Sequence, residues 1–361
     1  NLKYYLQYSD SLKNEETQKN IEKLQAEFSS KEREREIKLL KQENELSDLR
    51  LAKKENEIQQ QNYLVYSIIG FVVLVLIILF VLYYNYRLKI KSNDELEEKN
   101  YIIKKQHNKI VESINYAKYI QNAFLVNEQK LEERFSNLFL YFKPKDIVSG
   151  DFYYVDEHGD YTYYIVADCT GHGVPGGFMS TIGTMLLKNI FSTNNFPKPS
   201  EILIELHEGI VSVLNQYSMS ALSLDGMDIS IVRHKKNSNE LCFSGAMLPM
   251  FLVFNDSFEM YEGNLRGVGG YMIKPSKNEE YRDTMVELKE GTSVYLCSDG
   301  YLDQFGGPDG KKFNLIRFKE LLIEVSALPV EQRKSIVANR MKDWMGDRSQ
   351  LDDLCLLGIQ F

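Results

Sequence analysis

Apolar and polar positions change their rhythm along this 361-residue chain, and the changes divide it into four stretches. Residues 1–62 are dense in Glu, Lys, Gln and Asn and hold no proline, and Ile21–Gln61 reads as helix throughout because strong helix formers meet no breaker. Its apolar positions, Ile21, Leu24, Phe28, Leu39, Leu46 and Leu49, make a broken heptad, which predicts a solvated helical rod or a weak coiled coil without a core. Tyr63–Tyr84 then carries no charge, and its apolar run Ile68–Leu82 is flanked by Tyr63, Tyr66, Tyr83, Tyr84 and Tyr86. About 20 residues cross a hydrocarbon core of roughly 30 Å, and tyrosines suit its edges, so a single transmembrane helix is predicted; a buried core helix is the alternative and is rarely so uniformly apolar.

The third stretch, residues 85–126, is a helical linker. Leu96, Ile103, Ile110, Ala117 and Phe124 fall seven residues apart, whereas the facing seam positions are mixed, Asn100, His107, Ile114 and Gln121. That pattern predicts a marginal coiled coil joining two copies, either a linker that changes register or a plain dimer spacer. The fourth stretch, residues 127–361, turns to strands and helices. Leu138–Phe142, Phe152–Val155 and Tyr161–Ala167 are aromatic and β-branched, and Asp156–Asp160 is a turn between the last two. Gly177–Phe191, entered through Pro175, and Glu201–Gln216, with Ser200 as N-cap, carry apolar residues at helical steps. Strands at Met227–Arg233, Leu241–Ser244, Met250–Phe254, Val286–Leu288 and Ser293–Cys297, helices around Ile316–Val325 and Val330–Met345, and a closing strand Leu354–Gln360 follow. Antiparallel strands with grouped helices predict an α+β fold, a two-sheet sandwich flanked by helices.

Charge narrows the partners. With 51 acidic against 43 basic side chains the net charge is −8, so no basic face is left over for nucleic acid. Arg87, Lys89 and Lys91 follow the apolar span at once, while Lys54, Lys53 and Arg50 stand behind the neutral Gln59–Asn62, which puts residues 127–361 in the cytoplasm. Cys169, Cys242, Cys297 and Cys355 are too far apart for a zinc knuckle or a disulfide framework and fit a reducing compartment. The chain starts at Asn1 without a signal-peptide pattern, as a piece of a longer protein would.

The chemistry is carried by acids at strand ends: Asp151 in SGDFYY, Asp168 in VADCTGHG, Asp228 in DGMDISI, Asp299 in LCSDGY, and Asp352 and Asp353 in LDDLCLL. One such aspartate is usually a turn or a cap. Several together are what hard divalent cations require, because Mg²⁺ and Mn²⁺ take oxygen ligands, and two ions ~3.5–4 Å apart activate water for attack on a phosphoryl group. Gly171, Gly173, Gly176 and Gly177 permit positive φ or close backbone approach beside such a site. His172 is a candidate general acid for the leaving oxygen, or else a hydrogen-bonding residue that fixes the loop. Lys145, and after it Lys143, are the nearby cations for a phosphate; either alone is also an ordinary solvated lysine. Asp228 and Asp225 are read as structural.

In their order, PKDIVSGDFYYV, VADCTGHGVPGGFMSTIG, GMDISI, LCSDGYLDQFGG and LDDLCLLGI resemble the SpoIIE/RsbU-like branch of the PPM, or protein phosphatase 2C-like, serine/threonine phosphatases. The resemblance implies an α-β-β-α sandwich and two Mn²⁺ or Mg²⁺ ions. Asp168 would bridge both ions and the carbonyl of Cys169 would bind one of them. Asp151 would serve the second, directly or through water, and Asp299 and Asp352 the first, with Asp353 next in rank for that last role. The branch spaces His172 differently from better-known members, and the superfamily's usual phosphate-binding arginine is not evident. The N-terminal run YYLQYSDSLKNEE, ahead of a charged helix and one span, is similar to sensors whose tetratricopeptide repeats precede the membrane. The resemblance implies a membrane-anchored phosphatase at the inner membrane, acting on a phosphorylated protein of the anti-anti-sigma type. The rival is a catalytically silent module that docks a partner with the same fold; a purely structural coiled-coil anchor leaves the acids unexplained.

Overall fold

The computed structural model describes residues 2–125, 127–193, 196–217, 224–270 and 280–361. It falls into two compact units, Asn1–Ile102 and Ile103–Phe361. The first unit consists of the greater part of one helix, α1 (Leu2–Phe124), whose sequence offers no proline to interrupt its hydrogen bonds. Among the described residues this is the one helix long and apolar enough to cross a membrane, with an 18-residue window of mean hydropathy 3.2 and none of that window buried. Large apolar side chains fully exposed in this way are stable in lipid rather than in water.

The second unit begins with the end of α1 and the short α2 (Glu128–Arg134), whose N-cap Asn127 accepts from the N–H groups of Gln129 and Lys130. Strands β1 (Leu138–Lys143), β2 (Phe152–His158) and β3 (Tyr161–Cys169) lead to helices α3 (Gly173–Thr193) and α4 (Pro199–Val213). Next come β4 (Gly226–Lys235), β5 (Glu240–Ala246), β6 (Met250–Phe254), β7 (Ser257–Tyr261), β8 (Val268–Gly269), β9 (Thr284–Glu287) and β10 (Ser293–Cys297). Helix α5 (Gly300–Asp303), the ribbon β11 (Phe305–Gly306) and β12 (Lys311–Lys312), helices α6 (Asn314–Ser326) and α7 (Val330–Met345), and β13 (Leu354–Gln360) complete the chain.

The strands form two antiparallel sheets, ordered β1-β13-β10-β6-β7 and β2-β3-β4-β5-β9, with β8 beside β4. Tyr153, Val166, Leu140, Leu296 and Leu357 fill the layer between the sheets. Phe152, Ile165, Leu187, Leu206 and Ile210 pack α3 and α4 on the second sheet, and Tyr295, Phe318, Leu322 and Met341 pack α6 and α7 on the first. This is the α-β-β-α sandwich expected from the pattern. A strand such as β3 is buried on both faces, Tyr164 and Val166 inward, Tyr163 and Ile165 toward the helices, so it reads as a continuous apolar run.

Two helix starts differ from the pattern. Helix α3 begins at Gly173, so Pro175 lies inside the first turn, where its missing N–H has no intrahelical partner to lose. Helix α4 begins at Pro199, with Lys198 as N-cap; the Lys198 N–H bonds the Glu201 carboxylate at 2.7 Å, and Ser200 instead bonds Asp283. The proline's fixed φ outweighs the serine's capping preference.

Candidate functional site

Both sheets bring acids to one end of the sandwich. Asp151 directly precedes Phe152, which pairs with Ala167, and the next ladder position on β3 pairs Asp168 with Asp228 of β4. On the other sheet Asp299 follows β10 at the start of α5, and Asp352 and Asp353 precede β13; Ser298 N–H donates to Cys355 O at 3.0 Å, tying these two ends together.

The acids repel each other and are short of water. Asp151 is 2% exposed, and its Oδ2 is buried with no hydrogen-bond partner. Burial pushes its carboxyl well above the ordinary 3.8; a hydrogen bond from Ser298 opposes the rise, and charges on Asp353 and Asp352 add to it. Burial, then the charges of Asp151 and Asp299, push Asp168 up to about 10. Asp299, at the exposed rim, is raised by burial of its carboxyl and by Asp303 and Asp352. Facing carboxylates are reconciled by a shared proton or by a cation.

The donors fit a hard divalent cation. They are all oxygens, and the orphaned Oδ2 of Asp151 is an acceptor in want of a positive partner. Among the described residues no three such side chains are grouped as a ready ligand cage; the acids meet in pairs, Asp151 with Asp168 and Asp168 with Asp299. The Cys169 thiol is buried and pushed up by burial, so this residue's available donor is its carbonyl, which faces the Gly150 backbone.

Asp228 lies beside the other acids. Burial, followed by the charge of Asp299, raises its carboxyl to about 6. It is another charge in the acid cluster. Asp228→Asn is therefore expected to weaken Mn²⁺ binding about tenfold in calorimetric titration, with the melting temperature held, because it removes a like charge from a repelling group.

Asp352 and Asp353 separate clearly. Among the described residues the Asp352 Oδ1 accepts just the N–H of Asp353, at 2.9 Å, whereas Asp353 is 1% exposed and engaged by backbone donors of the loop before β2. Lys145 is half-buried and Lys143 exposed, and among the described residues neither makes an ion pair. His172 Nδ1 lies 2.8 Å from the Asp146 carboxylate, joining the loop after β3 to the loop before β2. That contact favours the loop-fixing role, and Asp146 was legible only as one more acid beside Lys145.

Gln121 is not a seam residue. It is 5% exposed, and its amide grips the Ser149 backbone, donating to O at 2.6 Å and accepting from N–H at 3.3 Å, while Nε2 also reaches Ser180 Oγ at 2.7 Å. A leucine here leaves the Ser149 N–H unpaired and its carbonyl with the Ser180 hydroxyl, at 3.1 Å, so Gln121→Leu is expected to lose about 1–3 kcal/mol of stability in unfolding measurements rather than tighten a helix pair. Beside this contact an apolar cleft of about 240 Å³ is lined by Tyr116, Ile120, Val174 and Phe178; it contains no acid and is not where the chemistry resides.

Comparison with known proteins places this geometry. The family described as Stage II sporulation protein E (SpoIIE) matches residues 158–361, which include Asp168, Asp299 and Asp352 and leave Asp151 just outside. The SiaA-PP2C domain of Pseudomonas aeruginosa is similar with 28% identity and a TM-score of 0.63, over 71% of this chain and 98% of that one. The RsbU and RsbW domains of a Mycobacterium tuberculosis protein share the fold at 19% identity and a TM-score of 0.50, over 62% of this chain and 59% of that one. A crossover junction endodeoxyribonuclease RuvC of Ehrlichia canis (strain Jake) is 23% identical over 121 residues, 30% of this chain and 76% of that protein. That stretch is short and weakly identical, and it carries no nuclease reading.

Proposed function

Because the chain belongs to the stage II sporulation protein E family, whose enzyme class is that of PP2C-type serine/threonine phosphatases, we propose that residues 127–361 hydrolyse phosphoserine or phosphothreonine on a partner protein. The observation that carries the reading is the pairing of Asp151, Asp168 and Asp299 at the mouth of the sandwich with one buried carboxylate oxygen left without a partner. Mn²⁺ or Mg²⁺ held there would supply an activated water and a clamp on the phosphoryl oxygens.

Asp168, Asp299, Asp352, Asp151 and the Cys169 carbonyl are the residues that would hold these ions, Asp168 from its place between Asp151 and Asp299 and Asp151 directly or through water. Lys145, in the loop that ends at Asp151, would orient the phosphate, while His172, held by Asp146, keeps the two loops together. The span Tyr63–Tyr84 anchors the chain in the inner membrane with the phosphatase in the cytoplasm, residues 1–62 form the helical segment before it, and residues 85–126 are the linker through which two copies associate. The partner protein is of the anti-anti-sigma type.

The test uses the full chain in detergent with Mn²⁺ and a phosphoserine protein of that type, with and without chelator. Phosphate release that depends on Mn²⁺ supports the reading. Turnover insensitive to chelator removes the metal ions from the reading, and none over a wide metal range replaces it with the silent docking module.

A further inference from the structure

The loop between β1 and β2, residues 144–151, ends in Asp151 and has no ladder to hold it. Its backbone N–H groups need partners elsewhere. Three of them find one side chain, more than 200 residues away in sequence: Asp353 Oδ1 accepts from Lys145 N–H at 2.7 Å, and Oδ2 accepts from Gly150 N–H at 2.7 Å and from Asp151 N–H at 3.4 Å. The carboxylate is 1% exposed, so water does not compete for these bonds.

We infer that Asp353 is a positioning residue which sets the place of Asp151 through the backbone of its loop, and is not itself a cation ligand. Both of its oxygens are committed to N–H donors, and Oδ2 serves two of them. The carboxylate of its neighbour Asp352, among the described residues, accepts one local bond, from the Asp353 N–H, and keeps Oδ2 for other partners. The division of labour within the Asp-Asp pair follows from burial: the acid that is enclosed holds the scaffold, and the partly open one faces the site. A charged acceptor binds backbone N–H groups more strongly than a neutral one, which suits a loop that must present a carboxylate against the repulsion of its neighbours.

The inference rests on the reading of Asp151 as a cation ligand, and the experiment separates the two. The full chain in detergent is compared with Asp151→Asn, Asp352→Asn and Asp353→Asn by Mn²⁺ titration and by hydrogen exchange of the metal-free protein. In Asp353→Asn an amide N–H₂ meets backbone donors head on. The amides of Lys145, Gly150 and Asp151 are then expected to exchange at least tenfold faster, and Mn²⁺ affinity to fall about tenfold. Asp352→Asn is expected to weaken Mn²⁺ binding without changing exchange at those amides. Weaker Mn²⁺ binding in Asp353→Asn with unchanged exchange makes Asp353 a ligand and overturns the inference. Faster exchange with unaltered Mn²⁺ affinity reduces it to scaffold with no bearing on the site. Unaltered Mn²⁺ affinity in Asp151→Asn removes the reading beneath it. Should Asp353→Asn not fold, Asp353→Glu, which keeps both acceptors one methylene out of place, is read by the same pair of measurements.

Discussion

Asp168→Asn is expected to lower kcat about a thousandfold, roughly 4 kcal/mol of transition-state stabilisation, while leaving the fold intact. The carboxyl stands between Asp151 and Asp299, and burial together with their charges pushes it up to about 10. A group in that position is the one whose charge two cations would share. The amide keeps its size and removes the charge, so cation affinity falls with kcat. Stability moves the other way. A carboxyl raised from 3.8 in the unfolded chain to about 10 in the folded one stabilises the metal-free protein below about pH 3.8, and that contribution is lost as pH rises toward 10. At neutral pH the metal-free Asp168→Asn protein is therefore expected to melt no lower than the wild type. Half of wild-type turnover in a folded Asp168→Asn protein removes Asp168 from the centre of the site.

The sandwich and its acids were legible because both depend on local signals. Strand β13 was predicted at Leu354–Gln360 and is found there, since its alternate residues pack on opposite layers and leave an apolar run bounded by the acidic pair. The turn at Asp156–Asp160 proved tighter than expected: β2 runs on to His158 and β3 resumes at Tyr161, around Gly159 at φ 56°. The acids announced themselves by lying at strand ends. What surrounds them did not. Gln121 looked like one more seam position because heptad spacing cannot say whether a helix face meets a second helix or the chain's own Ser149. Asp353 looked like a spare ligand because its donors, Lys145 and Gly150, are distant in sequence. For Asp228 the strand pattern showed a sheet position and not the charge of Asp299 beside it.

Glycines were legible as a class but not in their separate duties, and Gly176→Ala is expected to show the difference. Gly171 and Gly173 take φ of 85° and 66°, the left-handed region that disfavours other residues. Gly150 and Gly176 are needed for another reason: the loop before β2, the loop after β3 and the start of α3 touch through their backbones. A Cβ on Gly150 would stand 2.5 Å from Gly171 O, and a Cβ on Gly176 would stand 2.8 Å from Gly150 Cα and 3.0 Å from Gly171 C. Backbone atoms cannot turn aside as a side chain can, so the loops must separate. That movement carries the Cys169 carbonyl away from Asp151, two of the donors assigned to the cations. Gly176→Ala is accordingly expected to lose about 1–3 kcal/mol of stability, as overpacking does, and about a hundredfold in kcat/KM, with Mn²⁺ affinity down in step. Gly171→Ala supplies the contrast, because its Cβ meets nothing within 4 Å and its penalty is only the strain of a positive φ, about 1–2 kcal/mol. It is expected to melt lower yet keep activity within about tenfold. If Gly171→Ala proves the more damaging to turnover, the loop's own conformation governs the site, and the interlocked backbones do not.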